Sequence, residues 1–247
     1  MITNYQILIE YLGHNFVGWQ KQKNGTSVQE VVEKALYKTL KFKVKIIGSG
    51  RTDSGVNAFQ QSANFYIKKK ITDNYSILQS LNFYLKRYNI SILNIKKRSQ
   101  KFHARFSAKK RVYEYVILNR LAKPVIDKNR SWHVKKKLDL KKMKKAIKYF
   151  FGTHDFTAFR SSSCSAKSPI RTIDFVNIKK EKEKIIINFK SQSFLQKQVR
   201  SMVGCLKYVG ENKWRPEKIK KIILLKKRSE CAPPAPPSGL FLKKVFY

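Results

Sequence analysis

Apolar residues fall at two periods along this chain, and the switches between them mark its elements. Tyr5 to Tyr11 is a β-favouring apolar run and predicts a strand. A glycine-containing loop follows from Gly13 to Gly25, holding Phe16, Gly18 and Trp19. Ser27-Val28-Gln29-Glu30 has the capping-box form, and Val28, Val31, Val32, Ala35, Leu36 and Leu40 recur behind it at helical spacing. Val44 to Ile47 reads as a short strand closed by Gly48-Ser49-Gly50, and Phe59 to Ile67 as another. Tyr75 to Leu85 predicts a helix and Ile90 to Ile95 an alternating strand.

The second half repeats this grammar. Arg111 to Ile117 is a strand, and Leu140, Met143, Ala146, Ile147 and Phe150 mark a helix coated outside with lysine. Arg160 to Ser168 is a polar loop. Strands are predicted at Thr172 to Ile178 and Lys184 to Phe189. Leu195, Val199, Met202, Val203 and Leu206 form a long amphipathic stripe, and Pro216 opens a further basic helix. Pro233 to Pro237 is a stiff extended loop before a last strand, Gly239 to Phe246. The pattern divides the chain into an N-terminal half, residues 1–105, and a C-terminal half, residues 106–247. Strands interleaved with helices suggest an α+β fold of antiparallel or mixed sheets with helices on one face.

Charge changes the picture most. Against 15 acidic residues stand 54 basic ones, 42 Lys and 12 Arg, for a net +39. Such an excess favours an anionic partner, nucleic acid first, because neutralised phosphates release counterions. The competing reading is codon bias of an AT-rich genome, which the Lys, Ile and Asn usage also fits. The lysines are spread along the chain and build no single basic amphipathic helix, which argues against a membrane surface. No apolar run reaches the roughly 18–20 residues that span a bilayer. The N-terminal run is broken by Gln6 and Glu10, so no signal segment is expected there. Three cysteines, Cys164, Cys205 and Cys231, make neither a disulfide scaffold nor a zinc ribbon, and thiols this sparse suit a reducing cytoplasm. His14, His103, His133 and His154 show no metal-ligand spacing, so no metal and no cofactor is expected.

Candidate chemistry centres on Gly48 to Gly55. The segment superficially looks like a phosphate-binding glycine loop, but Asp53 stands where the dinucleotide fingerprint needs glycine, and no Gly-Lys-Ser/Thr appears. Alone, an Asp between Thr52 and Ser54 is more often a turn residue than a catalyst. Yet Arg51 sits two residues away, and a carboxylate kept ionised beside Arg suits a nucleophile or general base. Tyr113 and Tyr115 share one strand face, either as core packing or as a stacking platform for a base. His154-Asp155-Phe156 lacks a companion nucleophile elbow, which makes His154 structural.

Six ordered motifs then give a specific resemblance. Gly50-Arg51-Thr52-Asp53-Ser54-Gly55-Val56 resembles the active-site motif of the TruA family of tRNA pseudouridine synthases. Tyr11 to Gln20, Phe102-His103-Ala104-Arg105-Phe106-Ser107-Ala108 with Arg111 to Tyr115, Gly152 to Phe156, Phe194 to Gly204, and Ala235 to Leu240 are similar to the family's remaining signatures, in order. The chain departs from the family pattern at Asn57, where His is usual, at Ser54, where Ala is usual, and at Lys86, where Pro is expected.

The resemblance implies two ferredoxin-like halves joined in a continuous, mainly antiparallel sheet, with the active site in the cleft between them. It implies an isomerase that turns uridine into pseudouridine at positions 38, 39 and 40 of the tRNA anticodon arm, needing no cofactor. It makes Asp53 the catalytic aspartate and Tyr113 the tyrosine packed on the target base. Arg200 becomes the partner of the catalytic carboxylate, and Arg51 the residue that enters the stem as the base leaves. It also implies a homodimer with tRNA across both subunits. The rival readings are the same chemistry on another RNA and a non-catalytic RNA-binding protein.

Overall fold

A computed structural model describes residues 2–68 and 70–247. Along the chain run β1 (Thr3–Tyr11), α1 (Val28–Leu40), β2 (Ile47–Gly48), β3 (Asn57–Ile67), α2 (Asn74–Leu85), β4 (Ile90–Arg98), β5 (Lys110–Asn119), β6 (Trp132–Val134) and α3 (Leu140–Ile147). They are followed by β7 (Gly152–Asp155), β8 (Ile170–Glu181), β9 (Lys184–Ser191), α4 (Gln198–Gly210), α5 (Lys218–Leu225) and β10 (Leu240–Phe246). The fold is mixed α+β and its strand pairing is mainly antiparallel. The chain forms two compact units: residues up to Lys109 together with Phe241–Tyr247, and Lys110–Leu240.

In the first unit the strand order is β4-β1-β3-β10, with β2 also on β3. β1 pairs antiparallel with β3 (Ile7 opposite Ala63) and with β4 (Ile7 opposite Ile95), while β10 joins β3 in parallel. Alternation along β1 sends Tyr5, Ile7 and Ile9 to one face and Asn4 and Gln6 to the other. All five side chains are buried. The buried amides are satisfied by one another and by neighbours: Gln6 Nε2 donates to Ser62 Oγ at 2.7 Å, and Asn64 Nδ2 to Asn4 Oδ1 at 3.0 Å. α1 starts at Val28 because the Ser27 hydroxyl accepts from Glu30 N, and it buries Val28, Val31, Val32, Ala35 and Leu36. The Asp73 carboxylate caps α2 through Tyr75 N and Ser76 N.

The strand expected at Val44 to Ile47 shrinks to the pair Ile47–Gly48. Side chains of α1 take the backbone bonds that a longer strand would need. Ile46 N donates to Glu33 Oε1 at 3.0 Å, and Ile46 O accepts from Gln29 Nε2 at 3.3 Å.

In the second unit the order is β5-β9-β8-β7, with β6 parallel to β5. The pairings β5–β9, β9–β8 and β8–β7 are antiparallel. Met143, Phe150, Phe156, Phe159, Ile187, Phe189, Met202 and Leu206 are fully buried, each contributing roughly 1.5–3 kcal/mol by withdrawing its apolar surface from water. The predicted stripe from Leu195 becomes helical only at Gln198. Lys197 adopts a left-handed backbone (φ 62°) and stops the helix from extending backwards. Leu195 stays buried, and its N–H is taken by Gln198 Oε1 at 2.8 Å. α3 tightens into a 3-10 turn over Lys148–Phe150. Among the described residues no helix is long and apolar enough to cross a membrane.

Candidate active site

The first unit holds the Asp53 loop between β2 and β3 and fastens it from several directions. At its root Ser49 N donates to Ser62 O at 2.7 Å, and Ser49 Oγ to Gln61 Oε1 at 2.7 Å. Gln61 Nε2 reaches back to Gly50 O at 3.0 Å. At the centre Thr52 is buried; its hydroxyl bonds Tyr11 Oη at 2.8 Å and its carbonyl accepts from Trp19 N at 3.1 Å. Beyond Asp53, Ser54 Oγ donates to Phe16 O at 3.1 Å. Tyr11, Phe16 and Trp19 all belong to the strand and loop at the start of the chain, which thus clasp the motif.

Gly18 makes that clasp possible. Its φ is +117°, and a Cβ there would lie 2.7 Å from Thr52 O. Asn57, the departure from the family's usual His, is fully buried and accepts from Gly13 N at 2.7 Å. It is a further clamp between the same two segments.

Within this frame Arg51 is exposed and Asp53 half-buried, between buried Thr52 and buried Val56. The Asp53 carbonyl accepts from Val56 N at 3.2 Å, so the turn reading of this residue describes its backbone. The chemical reading concerns the carboxylate, which is carried on this braced backbone.

The second unit carries Tyr113, Tyr115 and Arg200. Tyr113 and Tyr115 lie two apart on β5, opposite Phe189 and Ile187. Their fates differ. Tyr115 is fully buried, its ring set edge-on to Trp132 and its hydroxyl donating to Pro236 O at 2.8 Å. Burial pushes the Tyr115 phenol well up, against the pull of the Arg200 guanidinium. Tyr115 is therefore a core residue and no platform for a base. Tyr113 keeps 9% of its surface and meets Phe194 edge-to-face at 5.2 Å between centroids.

Arg200 stands in the first turn of α4 and is clamped twice to one residue. Its Nε donates to Ala235 O at 2.7 Å, and Ala235 N donates to its carbonyl at 2.9 Å. Tyr115 and Arg200 thus hold successive carbonyls of the proline-rich segment, which acts as a strap along α4. Sequence reading found the stiffness of that segment and missed its attachment. The signals were the proline run itself and the family resemblance of Phe194 to Gly204 and of Ala235 to Leu240.

His154 and His133 serve local structure: His154 Nε2 lies 2.8 Å from Phe151 O, and His133 Nε2 2.9 Å from Arg120 O. Among the described residues no group of three or more His, Cys, Asp or Glu side chains is placed to hold a metal ion.

Comparison with known proteins places this chain among relatives. A family model described as tRNA pseudouridine synthase matches residues 7–107 and 146–247. The chain is similar to tRNA pseudouridine synthase A of Pelagibacter ubique, at 58% identity over 98% of this chain and 99% of the relative. It is similar to the proteins of that name from Ehrlichia canis and Ehrlichia chaffeensis, each at 44% identity over 98% of this chain and 99% of the relative. Among solved structures, an archaeal box H/ACA sRNP Nop10-Cbf5 complex matches 82% of this chain and 43% of that chain, at 10% identity and a TM-score of 0.36, a likeness too slight to build on.

Proposed function

The chain belongs to the tRNA pseudouridine synthase family and is a tRNA-modifying isomerase, and on that premise we propose that it converts uridine to pseudouridine at positions 38, 39 and 40 of the anticodon stem-loop, with Asp53 as the catalytic carboxylate. The observation that carries the reading is the bracing of the Asp53 loop by Tyr11, Phe16 and Trp19. Enzymes gain rate from groups held in place before the substrate arrives, and a carboxylate on so constrained a turn meets that requirement.

The reaction is an isomerisation. The N1–C1′ bond breaks, the base rotates, C5 bonds to C1′, and the C5 proton leaves to water while N1 gains one. No oxidant, reductant or external energy is consumed. Asp53 starts it, either by covalent attack or as a base at the sugar. Tyr113, Arg51 and Arg200 are the substrate-binding residues. Tyr113 offers its remaining open edge to the target base, and exposed Arg51 fills the stem as the base leaves it. Arg200, locked by Ala235, holds negative charge in place. Extruding a stacked base costs a few kcal/mol, which contacts between lysines and phosphates offset. A homodimer working in the cytoplasm, with tRNA across both subunits, completes the proposal.

Unmodified tRNA transcripts carrying uridine at 38, 39 and 40, treated with enzyme and mapped by carbodiimide adducts and primer extension, test it. Adducts at those positions are expected. Modification confined to other uridines overturns the assignment of position while leaving the chemistry standing.

A further inference from the structure

The segment Phe102–Ala108 takes no part in the chemistry above, yet its backbone is held from several directions. Asn4 Nδ2 and Tyr66 Oη both donate to Phe102 O, at 2.8 and 3.2 Å. Ala104 is fully buried; its N–H goes to Asn64 Oδ1 at 2.8 Å, and its carbonyl accepts from Tyr247 Oη at 2.9 Å. The turn closes on itself through Ser107 N to His103 O at 2.8 Å and His103 N to Ser107 Oγ at 3.0 Å. Arg105 N and Phe106 N both point at His103 Nδ1, at 3.2 and 3.3 Å.

All of this order presents one aromatic ring to water. Phe106 is 77% exposed, where a phenylalanine on so well-determined a turn would ordinarily be folded inward. The ring is flanked by an imidazole and a guanidinium. The His103 imidazole lies 4.4 Å away at a 32° tilt, and the Arg105 guanidinium carbon 5.5 Å from the ring centre. The neighbouring sequence carries Lys101, Arg105, Lys109, Lys110 and Arg111, with no Asp or Glu between Asp73 and Glu114. An exposed aromatic ring on a fixed backbone, beside a cation and in a basic stretch of sequence, fits a flat ring attached to phosphate. It suits an acidic or purely apolar protein surface less well, since those would use the charge or the ring alone.

We propose that Phe106 is a base-stacking residue of the RNA-binding surface, receiving one unpaired base of the bound tRNA. Single-stranded and splayed bases are the parts of an RNA that aromatic side chains recognise. The fixed backbone spares the ordering cost that a mobile loop would incur on binding. The proposal rests on tRNA being the substrate and is independent of which uridine is modified.

The test compares wild type with Phe106→Ala, Phe106→Leu and Phe106→Trp in the full-length protein, using unmodified tRNA transcript as the probe. Thermal unfolding should be the same for all four, because the ring is exposed. Ala and Leu variants should bind tRNA about 5- to 150-fold more weakly, the range found for losing one base–aromatic stack. The rise should appear in Kd and in KM. The Trp variant should bind like wild type, and its added indole fluorescence should be quenched by tRNA. Wild-type affinity in the Leu variant overturns stacking, since Leu keeps the apolar bulk and loses the π-face. Unchanged tRNA affinity with a changed oligomeric mass also overturns it and assigns the ring to a contact between copies. Failure of the proposed function would show as absent pseudouridine with the wild-type protein, an outcome separate from any of these.

Discussion

Gly204 stands where α4 touches the strap, and Gly204→Ala measures how much that contact matters. A Cβ at this position would lie 2.1 Å from Pro233 O and 3.5 Å from Ala235 N. Heavy atoms are comfortable at ~3.5–4.0 Å, and the intruded atom is backbone, so the strap must move. Moving it breaks the Arg200 Nε to Ala235 O bond and the Ala235 N to Arg200 O bond. A charged donor's bond contributes about 1.5–3 kcal/mol and a neutral backbone bond about 0.5–1.5 kcal/mol. Against this, Ala improves on Gly in a helix by about 0.5–1 kcal/mol. The expected net loss is about 1–4 kcal/mol.

Gly210→Ala, at the end of the same helix, is the control. There the new Cβ meets Met143 Sδ at 2.8 Å and Leu138 Cδ2 at 3.1 Å. The flexible thioether can swing aside and Leu138, whose Cβ lies at 3.2 Å, has to give by only a few tenths of an ångström, so the loss should be the smaller of the two, about 1 kcal/mol. Urea unfolding reads both, as a lowered midpoint with unchanged slope for Gly204→Ala. Turnover of tRNA, assayed where both variants are folded, should fall for Gly204→Ala alone because Arg200 has lost its clamp. A Gly204→Ala protein as stable as wild type, or equal losses in the two variants, would refute the reasoning.

Two further outcomes follow from charge. Burial alone would raise the Glu211 carboxyl, but the ammonium groups of Lys207, at 2.7 Å, and Lys213, at 3.2 Å, outweigh it and hold the carboxyl below its ordinary value. A lowered folded pKa gives stability that is complete above the unfolded value and lost as pH falls through the folded one. Glu211→Gln should therefore flatten the fall in urea midpoint between about pH 6 and pH 3; an unchanged acid limb contradicts the pairing. Affinity for tRNA should also drop steeply with salt, by about 10³–10⁵ between about 50 and 200 mM for a footprint of about 6–10 phosphates. A flat salt response would leave the +39 charge to codon usage.

What the sequence made legible was what local rules decide. α1 announced itself through Ser27 and its apolar spacing, and both survive in the structure. The Asp53 loop was legible as a motif because its glycines and its carboxylate stand within eight residues. Long-range competition was not legible. The backbone at Ile46 bonds to Gln29 and Glu33 rather than to a strand, and nothing near Val44 predicts that. Lys197 leaves the helical region although the apolar stripe runs through it. The clamp between Arg200 and Ala235 joins residues 35 apart, and the turn that exposes Phe106 depends on Asn4, Asn64 and Tyr247 from three other segments. The difference between Tyr113 and Tyr115 is one of burial, which two residues on one strand face cannot reveal by spacing.

The central claim is that Asp53 performs the isomerisation. Tritium release from tRNA labelled at uridine C5, with wild type and Asp53→Asn side by side, tests it most directly, because the C5–H bond is lost only when C5 bonds to C1′. Release by wild type alone, with tRNA still bound by Asp53→Asn, is the predicted result: phosphate contacts supply binding and the carboxylate supplies catalysis. Release by Asp53→Asn at the wild-type rate would contradict it.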